Sequence, residues 1–557
     1  MNKQSHQQPA KQSGRQTGRQ PELRIPWGLA ERMQTLLHPR PFHERFAFAA
    51  ARPLKAGHAQ TQATLLEQLV VVADDDYERT SSAGLALTAQ ASERMNQWAV
   101  QLAANGWIAV HLHSHPPGAS HFSATDDAAE SQLAAWLSEQ GVAQFWSLVW
   151  PQDGAPRARL WHQGVELPGR VVLGLAPVEP ARDALAPALE RQRAFGPALR
   201  QVADELSIGV VGVGGLGMLA VEQLARAGFR RFVLVDPDRI ETTNLNRLPG
   251  VTQRDLGRSK VQVGKRLVRQ IASALGRRAE VFAFPRDIYL SDAAQRGLQR
   301  CDLILALTDN ELSRTMALQL ALDAGREYLQ AGTDITLADD GAIAGLRAEV
   351  TGAETGRYCP ICSGRLSPAQ AAVEARVYAG GDIAAHARAA GYLPDVAAPT
   401  VMGLNAVAAG MLVTEIQRRA AGIGVRDLLQ LDLQTGEFRA VERVATGQAC
   451  DVCGAQVPAT PADVARDSEA AASPERDQQS AQSAVSTTSP QPVARVKEQS
   501  SMNRRKQSQK PTLRSRGHNA LLRDVRFRGG GGAHKDRRRE QRQGRKRQGG
   551  RWQDDDH

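Results

Sequence analysis

Residues 111–127 read HLHSHPPGASHFSATDD: four histidines within eleven residues, then two adjacent carboxylates. Imidazole nitrogens and a carboxylate oxygen hold Zn²⁺ at catalytic sites, where three protein ligands leave the fourth position to water. His113 and His115 offer the nitrogens, and Asp126 follows His115 after ten intervening residues. A metal held in this way lowers the pKa of its water toward ~7 and so makes hydroxide available. Further on, GVGGLG at residues 212–217 is a turn whose backbone amides can face a phosphate, aided by a helix dipole. Four of the five cysteines fall in two pairs, Cys359-x-x-Cys362 and Cys450-x-x-Cys453. Four thiolates at that spacing make a closed, structural zinc site.

These groups need elements to position them. WIAVHLH reads as a strand, on which alternate residues share a face, so His111, His113 and His115 point the same way. SATDD reads as a helix N-terminus capped by Ser123, which returns Asp126 toward the histidines. FAFAAA, QLVVVA and FWSLVW are further strands and ASERMNQWAVQLAANG a helix, giving a mixed α/β unit over residues 25–165. GLAPVEPARDALAP lacks strand periodicity and places a linker at 166–188. From about Leu206 to Gly454, strands IGVVGVGG, FVLVDPD, AEVFAFP and DLILALTD alternate with amphipathic helical segments, the pattern of a doubly wound, Rossmann-like parallel sheet. The helix after the glycine turn is expected to begin near Gly217, and Asp236 ends the second strand, where a carboxylate binds ribose hydroxyls. On those features alone an NAD-dependent oxidoreductase is an open reading. Asn244, Arg247, Lys260 and Asp309 then follow in DPDRIETTNLNRL, GRSKV and LALTDN. Arg and Lys neutralise a triphosphate and an Asp at a strand's carboxyl end holds Mg²⁺, none of which a dinucleotide dehydrogenase needs.

With 557 residues, 42% hydrophobic and 23% charged, the chain has the composition of globular domains, with no apolar run long enough to span a membrane. Residues 1–24 read as a polar, disordered arm without the apolar core of a secretory signal, so the cytoplasm is the expected compartment. The net charge of +10 is uneven: from Arg495 onward there are 20 Lys/Arg against 7 Asp/Glu, leaving the body near neutral. Residues 458–557 are Ala/Ser/Gln-rich and then basic, a disordered tail for solubility or docking, or for weak nucleic-acid binding. The fifth cysteine, Cys301, opens an apolar strand and reads as an inert core residue.

The string His113-Ser-His115-Pro, then Ser123-x-x-Asp126, resembles the JAMM (Jab/MPN) metalloproteases, which remove ubiquitin-like proteins or trim their C-termini. The resemblance implies His113, His115 and Asp126 as zinc ligands and Ser123 as the oxyanion donor. It also implies a glutamate on an earlier strand as general base. Glu44 in RPFHERFAFAAA is the best match and Glu67 in TLLEQLVVVA the competitor, because the text around Glu44 departs from the family's usual glycines. His111 and His121 are read as supporting or surface residues, and Asp127 as a partner of the helix dipole.

The second set resembles the ThiF/MoeB adenylating enzymes, related to the activating enzymes of ubiquitin, over a domain at 189–457. By that resemblance Gly212, Gly214, Gly215 and Gly217 approach ATP, Asp236 binds ribose, and Asn244 completes the nucleotide site. Arg247 and Lys260 stabilise the α-phosphate, Asp309 binds Mg²⁺, and the four paired cysteines hold structural zinc. Arg191 in LERQRAFG matches the arginine given to a partner subunit's site, which implies a homodimer. The segment between Cys362 and VMGLNAVAAGMLVTEIQRR, where some relatives carry a thioester or persulfide cysteine, has none. The adenylate would therefore pass to a thiol on a separate conjugating enzyme or acceptor.

The combined expectation is a bifunctional enzyme of a bacterial-type ubiquitin-like system. It would adenylate the C-terminal glycine of a Gly-Gly-ending carrier and cleave after that same terminus. Two alternatives stand beside it: a sulfur carrier of thiamine, molybdopterin or cysteine synthesis as the substrate, or a nucleic-acid-bound scaffold with inactive sites.

Overall fold

The computed structural model describes residues 20–39, 43–54, 62–81, 84–119, 121–179, 187–338, 341–355, 357–378, 401–442 and 450–454. Most of the expected N-terminal arm and all of the expected 458–557 tail lie outside them.

The N-terminal half builds one sheet from β1 (Glu22–Ile25), β2 (Phe46–Pro53), β3 (Ala63–Val71), β6 (Ile108–His115), β7 (Gln144–Pro151), β8 (Arg157–His162), β9 (Val165–Leu173) and β10 (Ala176–Pro177). A small hairpin of β4 (Tyr77–Ser81) and β5 (Gly84–Leu87) stands apart. The order is β1-β3-β2-β6-β7-β8-β9-β10, and β1 also pairs in parallel with β9, so the sheet closes on itself. Closure removes the exposed edges that an open sheet would have to protect. Side-chain alternation sorts each strand between two apolar clusters. Val110, Leu112, Trp146 and Leu148 join α1 (Trp27–Leu37) on one face. Ala109, Phe145 and Trp161 join α2 (Ala89–Ala104) and α3 (Ala124–Glu139) on the other.

This sheet corrects two expected boundaries. The arm ends before Glu22, because Glu22–Ile25 is a strand wedged between β3 and β9. Much of the expected 166–188 linker is strand, since β9 and β10 belong to the same sheet. Pro168 and Gly169 disguise β9, as both residues are normally depleted from strand interiors. A β-carbon on Gly169 would lie 2.3 Å from the Trp146 ring, so glycine is what lets that indole pack.

The second sheet has the order β13-β12-β11-β14-β15-β16-β17-β18. Its strands are β11 (Ser207–Val211), β12 (Arg231–Val235), β13 (Glu280–Phe284), β14 (Leu303–Ala306), β15 (Glu327–Leu337), β16 (Ile343–Ala353), β17 (Leu428–Asp432) and β18 (Glu437–Val441). The first five in space are parallel, as expected, but β15 to β18 run antiparallel, so the sheet is mixed rather than wholly parallel. β11 and β14 are buried throughout, because helices cover both their faces. One face takes α4 (Gly196–Glu205), α5 (Gly215–Arg226), α6 (Lys260–Ala274) and α10 (Met402–Ala420). The other takes α7 (Asp292–Gln299) and α8 (Glu311–Ala324), while α9 (Pro368–Tyr378) packs on α8.

Both sheets fall within one compact unit. A line of charged contacts joins them. Arg24 on β1 donates to Asp302 at 2.9 Å, Arg170 on β9 to Glu205 at 3.0 Å, and the Gly28 amide to Glu354 at 3.1 Å.

Candidate functional site

The N-terminal site stands on the α2–α3 side of the closed sheet. His113 and His115 project from β6, and Asp126 returns to them from the first turn of α3. The local cause is a capping box: Ser123 Oγ accepts from the Asp126 amide at 3.2 Å, and Asp126 Oδ2 accepts from the Ser123 amide at 2.6 Å. The His113 and His115 Nε2 atoms are 3.1 Å apart, and Asp126 oxygens lie 3.3 Å from each. A tetrahedral ion with 2.0–2.1 Å bonds would hold its ligands about 3.3–3.4 Å apart, so these three donors fit one face of a zinc site. The Ala119 carbonyl, 3.1 Å from His115 Nδ1, can only accept, so Nδ1 carries the proton and the Nε2 lone pair faces the cluster. Burial would raise the Asp126 carboxyl, but the His113 and His115 imidazoles beside it and the Ser123 amide hold it well below the usual carboxylate range.

Glu44 lies in a segment tied down on both sides. Its carbonyl accepts from Thr80 Oγ1 at 2.7 Å, and the next amide, of Arg45, donates to Ser114 Oγ at 2.9 Å. Burial raises the Glu44 carboxyl, while the charges of His115 and His113 pull it down. Its competitor Glu67 is elsewhere: Glu67 pairs with Arg52 at 2.5 Å, and Arg52 also caps the carboxyl end of α8 through the Asp323 carbonyl at 3.0 Å. His111 shares the strand face but packs edge-on against Phe48 at 4.8 Å, and burial drives its pKa down to about 4. Asp127 accepts from Arg159 at 2.6 Å, a side-chain partner in place of the expected helix dipole alone.

The second site gathers at the carboxyl ends of β11, β12 and β14. Gly212 has φ +91°, and a β-carbon there would lie 2.8 Å from the Leu307 backbone. One on Gly217 would lie 2.0 Å from the Gly212 carbonyl oxygen. The turn is therefore closed to any larger residue at these two positions. Helix α5 begins at Gly215, earlier than expected, so the free amides of its first turn include the glycine-rich stretch itself. A β-carbon on Gly215 would meet Arg247 Cδ at 3.3 Å and Asn405 Nδ2 at 2.7 Å, whereas beside Gly214 the space is open.

Asp236 accepts from the Val213 amide at 2.7 Å and the Asp238 amide at 2.8 Å, tying the second strand to the glycine turn. Burial raises its carboxyl and the nearby Lys260 pulls it down. Lys260 opens α6 and pairs with Asp238 at 2.9 Å. Asn244 is buried, and its Oδ1 accepts from the Glu241 amide at 3.1 Å, so it shapes the turn that leads to Arg247. Asp309 is exposed just beyond Thr308, whose methyl would touch a side chain at Gly212. Arg191 lies exposed in the 3₁₀ segment Pro187–Phe195, away from these strand ends in sequence and element.

Two residues here were not singled out from sequence. Asn405 is a buried amide in the apolar helix α10, and Arg314 donates to the Thr308 carbonyl at 2.9 Å. Arg314 borders a cavity of about 250 Å³ shared with Gln330, Gly332, Glu349 and Arg365. A polar residue inside an apolar helical run was the available signal for Asn405.

The cysteines form a third group. Cys359 and Cys450 Sγ are 3.9 Å apart, as are those of Cys362 and Cys453. A zinc ion with 2.3 Å bonds to sulfur would space its ligands about 3.8 Å apart, so the four thiols fit a tetrahedral ion. A hydrogen bond with Cys453 and nearby amides bring the Cys359 thiol down to about 6. Cys301 is buried at the start of β14, where burial pushes its thiol well up.

With a glycine-rich turn, charged strand ends and paired cysteines on one mixed sheet, the second half is a Rossmann-like domain. Residues 189–452 match the ThiF family. Over 131 residues the chain is 31% identical to the sulfur carrier protein adenylyltransferase of Thermus thermophilus, covering 24% of this chain and 46% of that one. It is 41% identical over 81 residues to the NEDD8-activating enzyme E1 catalytic subunit of Arabidopsis thaliana, 14% of this chain and 18% of that one. The chain thus spans less than half the length of these curated relatives. A crystal structure of E. coli MccB with ATP is 18% identical with a TM-score of 0.37, covering 49% of this chain and 76% of that one. Among the described residues no helix is long and apolar enough to cross a membrane.

Proposed function

We propose that the ThiF-type half adenylates the C-terminal glycine of a ubiquitin-like or sulfur-carrier protein, and that the N-terminal half is a JAMM-type zinc peptidase acting after the same terminus. The adenylating reading is carried by one observation: the Gly212–Gly217 turn meets Asp236, Arg247 and Thr308 at a single end of the sheet. In this reading the turn's amides hold phosphate, Asp236 and Asn244 order the ribose side, and Arg247 and Lys260 neutralise charge at the α-phosphate. The carrier's terminal carboxylate oxygen attacks the α-phosphorus, the bond to the bridging oxygen breaks, and pyrophosphate leaves with that electron pair. Asp309 is the residue for Mg²⁺, which would supply charge neutralisation for the triphosphate. The cavity beside Arg314 suits an extended peptide tail approaching that point.

For the peptidase, His113, His115 and Asp126 would hold zinc, which would supply a Lewis acid and an activated water. Glu44 takes the water's proton and Ser123 donates to the oxyanion. Support comes from the match of the three donor spacings to a tetrahedral ion, and from Glu67 being committed to Arg52. The four cysteines would hold structural zinc. With Cys301 buried, the adenylate passes to a thiol on a separate protein. We assign Arg191 to the site of a second copy in a homodimer, and weak nucleic-acid binding to the basic tail.

The sulfur-carrier reading is favoured by the Thermus relative and the ubiquitin-like reading by the Arabidopsis one. Purified chain, ATP and labelled pyrophosphate with each class of Gly-Gly carrier separate the two: exchange occurs only with the true class. A carrier extended beyond its diglycine is trimmed by wild type and left intact by Glu44→Ala if the peptidase assignment holds.

A further inference from the structure

Helix α3 carries Ser123 and Asp126 at its start, yet its buried residues are Glu130, Ala134 and Leu137. No apolar side chain anchors its first two turns. An element held to a sheet only by polar groups needs those groups satisfied and fixed in geometry.

One side chain meets that need. Arg159, on the neighbouring strand β8, has only 4% of its side chain exposed. Its Nε donates to Glu130 at 2.7 Å and its Nη1 to Asp127 at 2.6 Å. Its guanidinium carbon lies 3.8 Å from the centre of the Phe122 ring. Phe122 immediately precedes the cap residue Ser123, and Asp127 immediately follows Asp126. Arg159 therefore grips the capping box from both sides. Glu130 is completed by Trp161 Nε1 at 3.0 Å and by the Ser147 hydroxyl, both from the same sheet. The strand register places the base of this clamp beside the histidines: β6 pairs with β7, which carries Ser147, and β7 with β8.

We propose that Arg159, acting through Asp127, Glu130 and Phe122, is the positioning residue that holds Asp126 against His113 and His115 and so sets the metal affinity of the N-terminal site. This rests on the zinc-site reading above. Arg159 touches neither the metal ligands' donor atoms nor the proposed base. Its planar fork serves three carboxylates, Asp127, Glu130 and Glu166 (3.4 Å), and a ring face at once, which a lysine ammonium cannot do.

The test uses the full chain with zinc left in the four-cysteine site and Co²⁺ titrated into the N-terminal site, read by its visible absorption and by competition with a chelator. His115→Ala marks the baseline without that site. Arg159→Lys is expected to weaken Co²⁺ binding roughly 10–100-fold, the usual cost of losing support around a ligand, with a changed absorption band. Asp127→Ala, at a side chain 59% exposed and so harmless to the core, is expected to weaken it several-fold. Binding by either variant within twofold of wild type overturns the proposal. So does a loss accompanied by release of the cysteine-bound zinc, which would mark general unfolding. Absence of Co²⁺ binding in wild type overturns the zinc-site reading itself, and the proposal with it.

Discussion

Asp302 is the junction at which the two sheets are joined by charge, and its removal should be expensive. The carboxylate is buried at the start of β14. Oδ1 accepts from Arg24 of the N-terminal sheet at 2.9 Å, with Arg326 at 3.9 Å, and Oδ2 accepts from the Ser207 amide and hydroxyl at 3.0 and 2.8 Å. Asp302→Ala removes the carboxylate from beside Arg24, which keeps Glu22 at 3.1 Å, and from beside the buried Arg326. Breaking a buried pair from one side costs about 3–5 kcal/mol, because the remaining charge stays desolvated. Asp302→Asn keeps the volume and the Ser207 bonds but loses the charge, for about 1.5–3 kcal/mol. Urea denaturation at pH 7, followed by tryptophan fluorescence, should rank wild type above Asn and Asn above Ala.

The pH dependence checks the cause. Burial would raise the Asp302 carboxyl, but Arg24, the Ser207 amide and Arg326 hold it below its ordinary value. A carboxyl depressed in the folded state stabilises above its unfolded pKa, about 3.9, and that stabilisation is lost as pH falls toward the folded value. The gap between wild type and Asp302→Asn should therefore narrow below about pH 4. An Asp302→Ala variant within about 1 kcal/mol of wild type at pH 7 would refute the reasoning.

Gly217→Ala should abolish ATP binding while the N-terminal site still takes metal, as a β-carbon 2.0 Å from the Gly212 carbonyl forces the turn open; isothermal titration with ATP and Co²⁺ reads both. Metal analysis of the chain should give two zinc ions, and Cys450→Ser should lose one of them with a drop in melting temperature. Cys301 should resist thiol reagents in the folded chain and react only in denaturant, because it is buried with a raised pKa.

Much of the local arrangement was legible because it depends on local spacing. A strand makes His113 and His115 share a face, a capping box brings Asp126 to the first turn of the next helix, and a glycine turn needs no distant partner to be recognised. What stayed hidden depends on long-range pairing. Glu44 and Glu67 are alike as residues, and the pairing of Glu67 with Arg52 between β2 and β3 is not announced by any sequence pattern. Strand β1 pairs with β9, far along the chain, and no sequence period announces a parallel contact of that range. Arg159 shares the strand RARLWH with Arg157, and the sequence does not say which of the two is buried or what it grips. The antiparallel end of the second sheet was missed because β15 to β18 mix polar residues among apolar ones, as in EYLQAGTDITL and EFRAV, and lack the continuous apolar text of β14.

The central claim is carrier-dependent adenylation at the Gly212–Asp309 end of the second sheet, and ATP–pyrophosphate exchange tests it most directly. Wild-type chain with a Gly-Gly-ending carrier should exchange label into ATP, and Asp309→Ala should reduce that exchange to background while the chain stays folded. Exchange that persists undiminished in Asp309→Ala, or that proceeds equally without any carrier, would contradict the account.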